Sequence, residues 1–131
     1  MEKELILCDT NIFIHWFSGN KKIDDILRTK IGLGNVVLPV IVYMELLQGM
    51  SNKKELADMQ KKLSKFHLIN INNSISDKTK SLITKYSLSQ SLQIPDAFIG
   101  ATAIECNLRL YTYNIKDFKF IPDIRLYDEI L

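Results

Sequence analysis

The sequence predicts an α/β fold, with helical layers on both sides of a central, mostly parallel sheet of four to five strands. Three observations predict it. The short runs LILC and VVL are continuously apolar, the pattern of strands covered on both faces rather than on one. The longer stretches between them repeat apolar residues at helical spacing. The two kinds of segment alternate along the whole length, as strands joined by helical crossovers do.

The elements follow in order. Leu5 to Cys8 is a first, doubly buried strand. Asp9-Thr10-Asn11 supplies helix-start residues, and a helix runs through Trp16 and Phe17. After SGNKK, the spacing of Ile23, Ile26, Leu27 and Ile31 marks a second helix, and GLGN a turn. Val36 to Leu38 is the second strand, and Pro39 permits a helix to begin there and run toward Gly49. A lysine-rich helix places Leu56, Met59, Gln60 and Leu63 on its inner face, and FHLININ gives a third strand. Ile75, Thr79, Leu82, Ile83 and Tyr86 mark the next helix. IPDAFIGATAIECN forms a helix opened by Pro95, and LRLYT a fourth strand. NIKDF is a loop or single turn, and IRLY a short last strand.

Bulk properties narrow the function classes. The 131 residues suit one domain, and 47% apolar with 24% charged content suits a chain with a real core. A net charge of +2 permits a nucleic-acid partner without arguing for one, and the lysine groups read as solvated helix faces. The two cysteines make neither a disulfide framework nor a metal-ligand spacing, and both read as small buried hydrophobes in a reducing compartment. MEKEL has no signal-peptide core, and VVLPVIVYMELL is broken by Pro39 and Glu45, so the expectation is a cytoplasmic protein with no membrane partner. His15 and His67 lack ligand spacing and read as packing residues. No dinucleotide fingerprint, phosphate-binding loop or nucleophile elbow is present.

The acids carry the chemistry. In parallel sheets of this kind ligands bind beyond the carboxyl ends of the strands, and Asp9, Glu45, Asp96 and Asp117 all map to that rim, with Thr112 at the end of the fourth strand. Each has a plain structural reading. Asp9 can cap a helix, Glu45 can face water beside Gln48, Asp96 can sit in an ordinary first helical turn after Pro95, and Asn114 with Asp117 can form a local cap. Their combination on one rim points further, since clustered carboxylates repel and a divalent cation resolves the conflict. Hard oxygen donors suit magnesium or manganese, and such ions serve phosphodiester hydrolysis.

Four motifs in order, CDTNIFI, YMELLQG, YSLSQSLQIPDAFIGATA, and LYTYNIKDF followed by IPDIRLY, resemble those of the PIN-domain ribonucleases, most of all the VapC-type toxins of bacterial toxin–antitoxin pairs. The resemblance covers nearly the whole chain and implies that residues 1–131 form a single PIN domain of three α/β/α layers. It implies a magnesium- or manganese-dependent endoribonuclease in which Asp9, Glu45, Asp96 and Asp117 are the catalytic acids and hold the metal. Thr10 and Asn11 would shape the first loop, and Asn11, Thr112 and Asn114 would support the site through hydrogen bonds. Some relatives carry an extra acid beside the one at position 96; here Ala97 and Phe98 follow. The implied substrate is RNA, tRNA or another structured RNA, cut to 5′-phosphate and 3′-hydroxyl ends, with Lys116 and Lys119 placed to hold its backbone. The implied partner is a VapB-type antitoxin that blocks the acidic pocket and alone brings operator DNA to the complex; Ile12, Phe13, Trp16 and Phe17 would supply its groove or a homodimer surface, or fill the core. Other readings are a nuclease acting on DNA or in RNA processing, a PIN module that binds RNA or protein without catalysis, and, more remotely, a phosphoacceptor receiver domain.

Overall fold

A computed structural model describes residues 4–127. Among these residues four strands form one fully parallel sheet in the order β3-β2-β1-β4, flanked by six α-helices. The three-layer α/β/α architecture expected from the alternating pattern is the one observed. β1 (Ile6–Cys8) lies in the middle. Ile6 and Leu7 pair with Val36 and Val37 of β2 (Val36–Pro39), while Ile6, Leu7 and Cys8 pair with Arg109, Leu110 and Tyr111 of β4 (Arg109–Tyr111). Every residue of β1 and β2 is buried, which is why neither run tolerates a polar residue.

β1 is shorter than expected at its start: Leu5 lies outside the ladder and is 41% exposed. β3 (His67–Ile69) is an edge strand, with His67 and Leu68 exposed, and Ile71 of the expected strand falls beyond it. The IRLY run contributes one parallel bridge, Leu110 to Leu126, rather than a fifth strand. Leu110 donates to Arg125 O and accepts from Tyr127 N, both at 2.8 Å.

The helices follow the expected order. α1 spans Thr10–Phe17, and α2 spans Lys21–Asp25 and continues as a wider π-helical turn over Ile26–Ile31. α3 is Val40–Gln48, with Pro39 outside it as the last residue of β2. α4 is Lys53–Leu63, α5 Asn73–Gln90 and α6 Ile94–Glu105. Three asparagines start helices: the side-chain oxygens of Asn20, Asn52 and Asn72 accept from the backbone N–H groups of Ile23, Glu55 and Ile75 at 2.8–2.9 Å. The NIKDF turn is a single 3₁₀ turn, Ile115–Asp117.

Three expectations about burial are corrected. Of the α4 inner face only Met59 and Leu63 are buried; Leu56 and Gln60 are exposed, because α4 touches the core with a narrow stripe. His15 and His67 are exposed, not packed inside: His15 meets the ring of Tyr113, and the His67 ring lies 3.0 Å from Gly34 O. Cys8 is fully buried, while Cys106 is only half-buried. Ile12, Phe13, Trp16 and Phe17 divide between the two uses expected of them: Ile12 and Phe13 fill the core, whereas Trp16 and Phe17 are half-buried.

Phe13 is the centre of an aromatic group with Trp16, Phe17 and Phe66, at ring separations of 5.9–6.4 Å. Phe13→Ala is therefore expected to lower unfolding free energy by about 3–5 kcal/mol, read from urea titration. A loss below about 1 kcal/mol would show that this group does not hold α1 against the core.

Candidate active site

The site starts from the end of β1. The Asp9 N–H donates to Tyr111 O at 3.0 Å, so the backbone is pinned to β4 one step past the strand. From there the Asp9 side chain turns onto the start of α1, where Oδ1 accepts from Thr10 N at 2.7 Å. The capping reading of Asp9 thus holds, and it is not the whole account. Oδ2 also accepts from the Thr112 hydroxyl at 2.7 Å and from Asn11 Nδ2 at 3.3 Å. A helix cap needs only one of these donors; the rest are what a carboxylate at 4% exposure requires to remain charged.

The donors are themselves positioned. The Thr112 oxygen accepts from Asn114 N at 3.0 Å, which leaves its own hydrogen directed at Asp9. Asn11 accepts from Tyr113 N at 3.2 Å with its Oδ1, and this fixes which way its amide points. The Thr10 hydroxyl donates to Glu45 Oε1 at 2.7 Å and so ties α3 to the loop after β1. Thr10, Asn11 and Thr112 thus hydrogen-bond to Asp9 or Glu45, and the Asn114 backbone to Thr112.

All four acids fall at the carboxyl rim. Asp9 is buried, and Glu45, Asp96 and Asp117 are half-buried. Burial pushes the Asp9 carboxyl up; the Thr112, Thr10 and Asn11 donors oppose that rise, and the Glu45 charge adds to it. The Asp96 carboxyl is pushed up to about 6, first by burial and then by the charges of Asp9, Asp117 and Glu45. Asp96 lies in the first turn of α6, where the helix dipole favours an anion. Burial and three like charges outweigh that preference.

Among the described residues no three His, Cys, Asp or Glu side chains converge closely enough to enclose a metal ion by themselves. The donor set nevertheless fits a hard divalent cation. It consists of carboxylate oxygens in mutual repulsion, and no basic side chain among the described residues relieves that repulsion at Asp9 or Asp96. Magnesium retains several waters and takes as few as one or two protein carboxylates, so an open acidic pocket suits it better than a closed cage.

Two groups beside the site carried no signal in the sequence. The ring of Tyr113, next to Thr112, meets His15 edge to face at 4.7 Å. A cavity of about 320 Å³ opens beside Glu45 and is lined by Ile14, Phe17, Leu46, Met50 and Met59. A larger one of about 430 Å³, lined by Trp16, Phe17, Leu33, Phe66, Arg28 and Lys62, lies toward the amino ends of β2 and β3, away from the acids.

The PIN domain family model matches residues 6–122. No curated protein matches the chain. Among solved structures, a toxin–antitoxin complex from Klebsiella pneumoniae contains a chain 34% identical; the match covers 95% of this chain and 99% of that one, with a TM-score of 0.77. The VapBC2 complex of Rickettsia felis, bound to a DNA fragment from its promoter, contains a chain 27% identical, matched over 94% of this chain and 97% of that one at a TM-score of 0.77. A chain of DNA-bound VapBC from Salmonella typhimurium shares the fold at 20% identity and a TM-score of 0.78, over 95% and 98% of the two chains.

A carboxyl that holds its proton more tightly folded than unfolded destabilises the fold where it is ionised. For Asp96 that penalty is present above about pH 6 and is relieved as pH falls through 6 toward the ordinary aspartate value of 3.8. In chelator, stability is expected to rise as pH drops from 7.5 to 5, and Asp96→Asn to flatten the rise; an unchanged pH profile in the variant would contradict the assignment. Thr112→Val removes the donor to Asp9 and the acceptor of the Asn114 amide. It is expected to lower stability by about 1–3 kcal/mol in thermal unfolding, with Thr112→Ser close to the parent; a valine variant as stable as the parent would show that this bond is dispensable.

Proposed function

The chain belongs to the PIN-domain family, and on that premise we propose that it is the toxin of a type II toxin–antitoxin pair, a divalent-metal-dependent endoribonuclease that hydrolyses phosphodiester bonds in tRNA or another structured RNA. The observation that carries this reading is the buried Asp9 carboxylate, held by three donors, on the same rim as Asp96, whose proton affinity is raised by burial and then by Asp9, Asp117 and Glu45. Residues 1–131 act in this reading as a single PIN domain.

Asp9, Glu45, Asp96 and Asp117 would hold the ion, Mg²⁺ or Mn²⁺. When bound, it supplies positive charge for the phosphoryl oxygens and lowers the pKa of water near the scissile phosphorus. The protein's own groups do the rest. Thr112 and the Thr10 amide oppose the rise that burial gives the Asp9 carboxyl and fix its two oxygens. The Thr10 hydroxyl holds Glu45 toward the same pocket. Asn11 joins Asp9 to the backbone of Tyr113 and so keeps the loops after β1 and β4 together. Lys116 and Lys119, both exposed on and just after the 3₁₀ turn, are placed to meet the phosphates of the substrate.

The relatives' assemblies support a protein partner. A VapB-type antitoxin would seat apolar side chains in the cavity beside Trp16, Phe17 and Phe66, block the acids, and bring operator DNA to the complex, as the Rickettsia felis assembly is DNA-bound. The toxin would also pair with a second copy of itself. Among the described residues no helix is long and apolar enough to cross a membrane, and the cytoplasm is the proposed location.

Purified protein is expected to cut RNA in magnesium or manganese, to stop in chelator, and to resume on adding manganese. Asp96→Asn is expected to lower the rate at least about a hundredfold, to keep the parent's circular dichroism, and to relieve growth arrest on expression. Cutting that persists in chelator, or a preference for DNA when both are offered, would overturn the proposal.

A further inference from the structure

Tyr113 is an exposed aromatic residue that three groups hold in place. The residue is 46% exposed, so burial explains little of its position. Its backbone N–H donates to Asn11 Oδ1 at 3.2 Å. The His15 ring meets it edge to face at 4.7 Å, with an interplanar angle of 81°. Its hydroxyl accepts from Asn20 Nδ2 at 3.4 Å. Asn11 and His15 stand one helical turn apart on α1 and therefore share a face, and Asn20 begins the next helix. A single edge of the α1–α2 region fixes the amide, ring and hydroxyl of one side chain.

The place of this side chain relates it to the acids. Thr112, its chain neighbour, donates to Asp9 Oδ2, and Asn11, which holds its amide, donates to the same oxygen. The backbone of Tyr113 thus lies beside the acids, two hydrogen bonds from Asp9 through Asn11 and one peptide bond and one hydrogen bond away through Thr112. An edge-to-face pair occupies one face of one ring and an edge of the other, so each ring keeps at least one face clear of its partner. His15 is exposed as well. Lys116 and Lys119, both exposed, follow on the same loop.

We propose that Tyr113, braced by His15, is a base-stacking platform that seats one unpaired nucleobase of the RNA beside the scissile phosphate. The inference rests on the nuclease reading and deepens it: the substrate presents a single-stranded segment at the cut. Stacking on a preset aromatic face recognises bases without reading their edges, and alanine replacement of such a ring characteristically weakens binding by roughly five- to a hundredfold. Because the ring is already fixed, little freedom is lost on binding. Tyr113 is a binding residue here, and His15 a positioning one.

The test uses short single-stranded RNA and measures kcat and KM in manganese, with equilibrium binding in calcium read by fluorescence anisotropy. Tyr113→Ala is expected to raise KM and Kd about tenfold or more with kcat largely kept, Tyr113→Phe, which keeps the ring and loses only the Asn20 contact, to raise them far less, and His15→Ala to fall between Tyr113→Ala and the parent. One abasic position in the RNA is expected to reproduce the Tyr113→Ala loss in the parent and to add nothing in the variant, the signature of a coupled pair. Parent-like KM and Kd for Tyr113→Ala overturn the proposal, as do losses that add at every abasic position. Weakened antitoxin binding with unchanged RNA constants also overturns it and assigns the ring to the protein partner. If the parent binds RNA through Tyr113 but does not cut, the platform stands and the nuclease reading falls; if it does not bind RNA at all, both fall.

Discussion

The structure turns on one carboxylate. Asp9 is almost wholly enclosed at the end of the central strand, where an ionised group is unfavourable unless donors surround it. Thr112, the Thr10 amide and Asn11 supply them, from the loop after β4 and from the first turn of α1. Only a central strand could serve. In the order β3-β2-β1-β4, β1 has β2 on one side and β4 on the other, so the segments leaving both neighbours pass its carboxyl end. They bring Glu45 on α3 and Asp117 on the 3₁₀ turn. Asp96 arrives from the opposite direction, because a helix that leads into a parallel strand begins where the sheet's strands end.

That convergence works against stability, and the rest of the chain offsets it. The Asp96 carboxyl near 6 and the raised Asp9 carboxyl record burial first, and then like charges brought together with no basic side chain among the described residues to relieve them. Opposing them is a core in which Ile6, Leu7, Cys8, Val36, Val37 and Leu38 are at most 1% exposed. Stability lies in the strands and strain at their ends, a division common where a site must keep an unfavourable arrangement ready for a ligand.

What could be read from the sequence follows the same division. Asp9 was legible because a charge that ends a four-residue apolar run has few structural uses, and Asp96 because Pro95 placed it in a first turn. Parallel order followed from strands that lack alternation. The periphery was less legible. Helical spacing locates a buried stripe but not its width, so it places Leu56 and Gln60 of α4 on a core they do not reach. A short apolar run such as IRLY does not say whether it pairs along its length or, as here, at one bridge. His15 looked like packing because its partner Tyr113 is distant in sequence, and spacing along one helix carries no information about a ring delivered by another loop. The link from Thr10 to Glu45 was hidden for the same reason.

The proposed function requires that Asp9, Glu45, Asp96 and Asp117, on one rim of the sheet, take up a divalent cation. Thermal unfolding with and without manganese tests it most directly, in the parent and in Asp9→Asn. The account predicts that ion at about a hundred times its dissociation constant stabilises the parent by about 2.7 kcal/mol and leaves the variant unmoved. A parent whose unfolding midpoint ignores manganese, or a variant that responds as strongly as the parent, would contradict it.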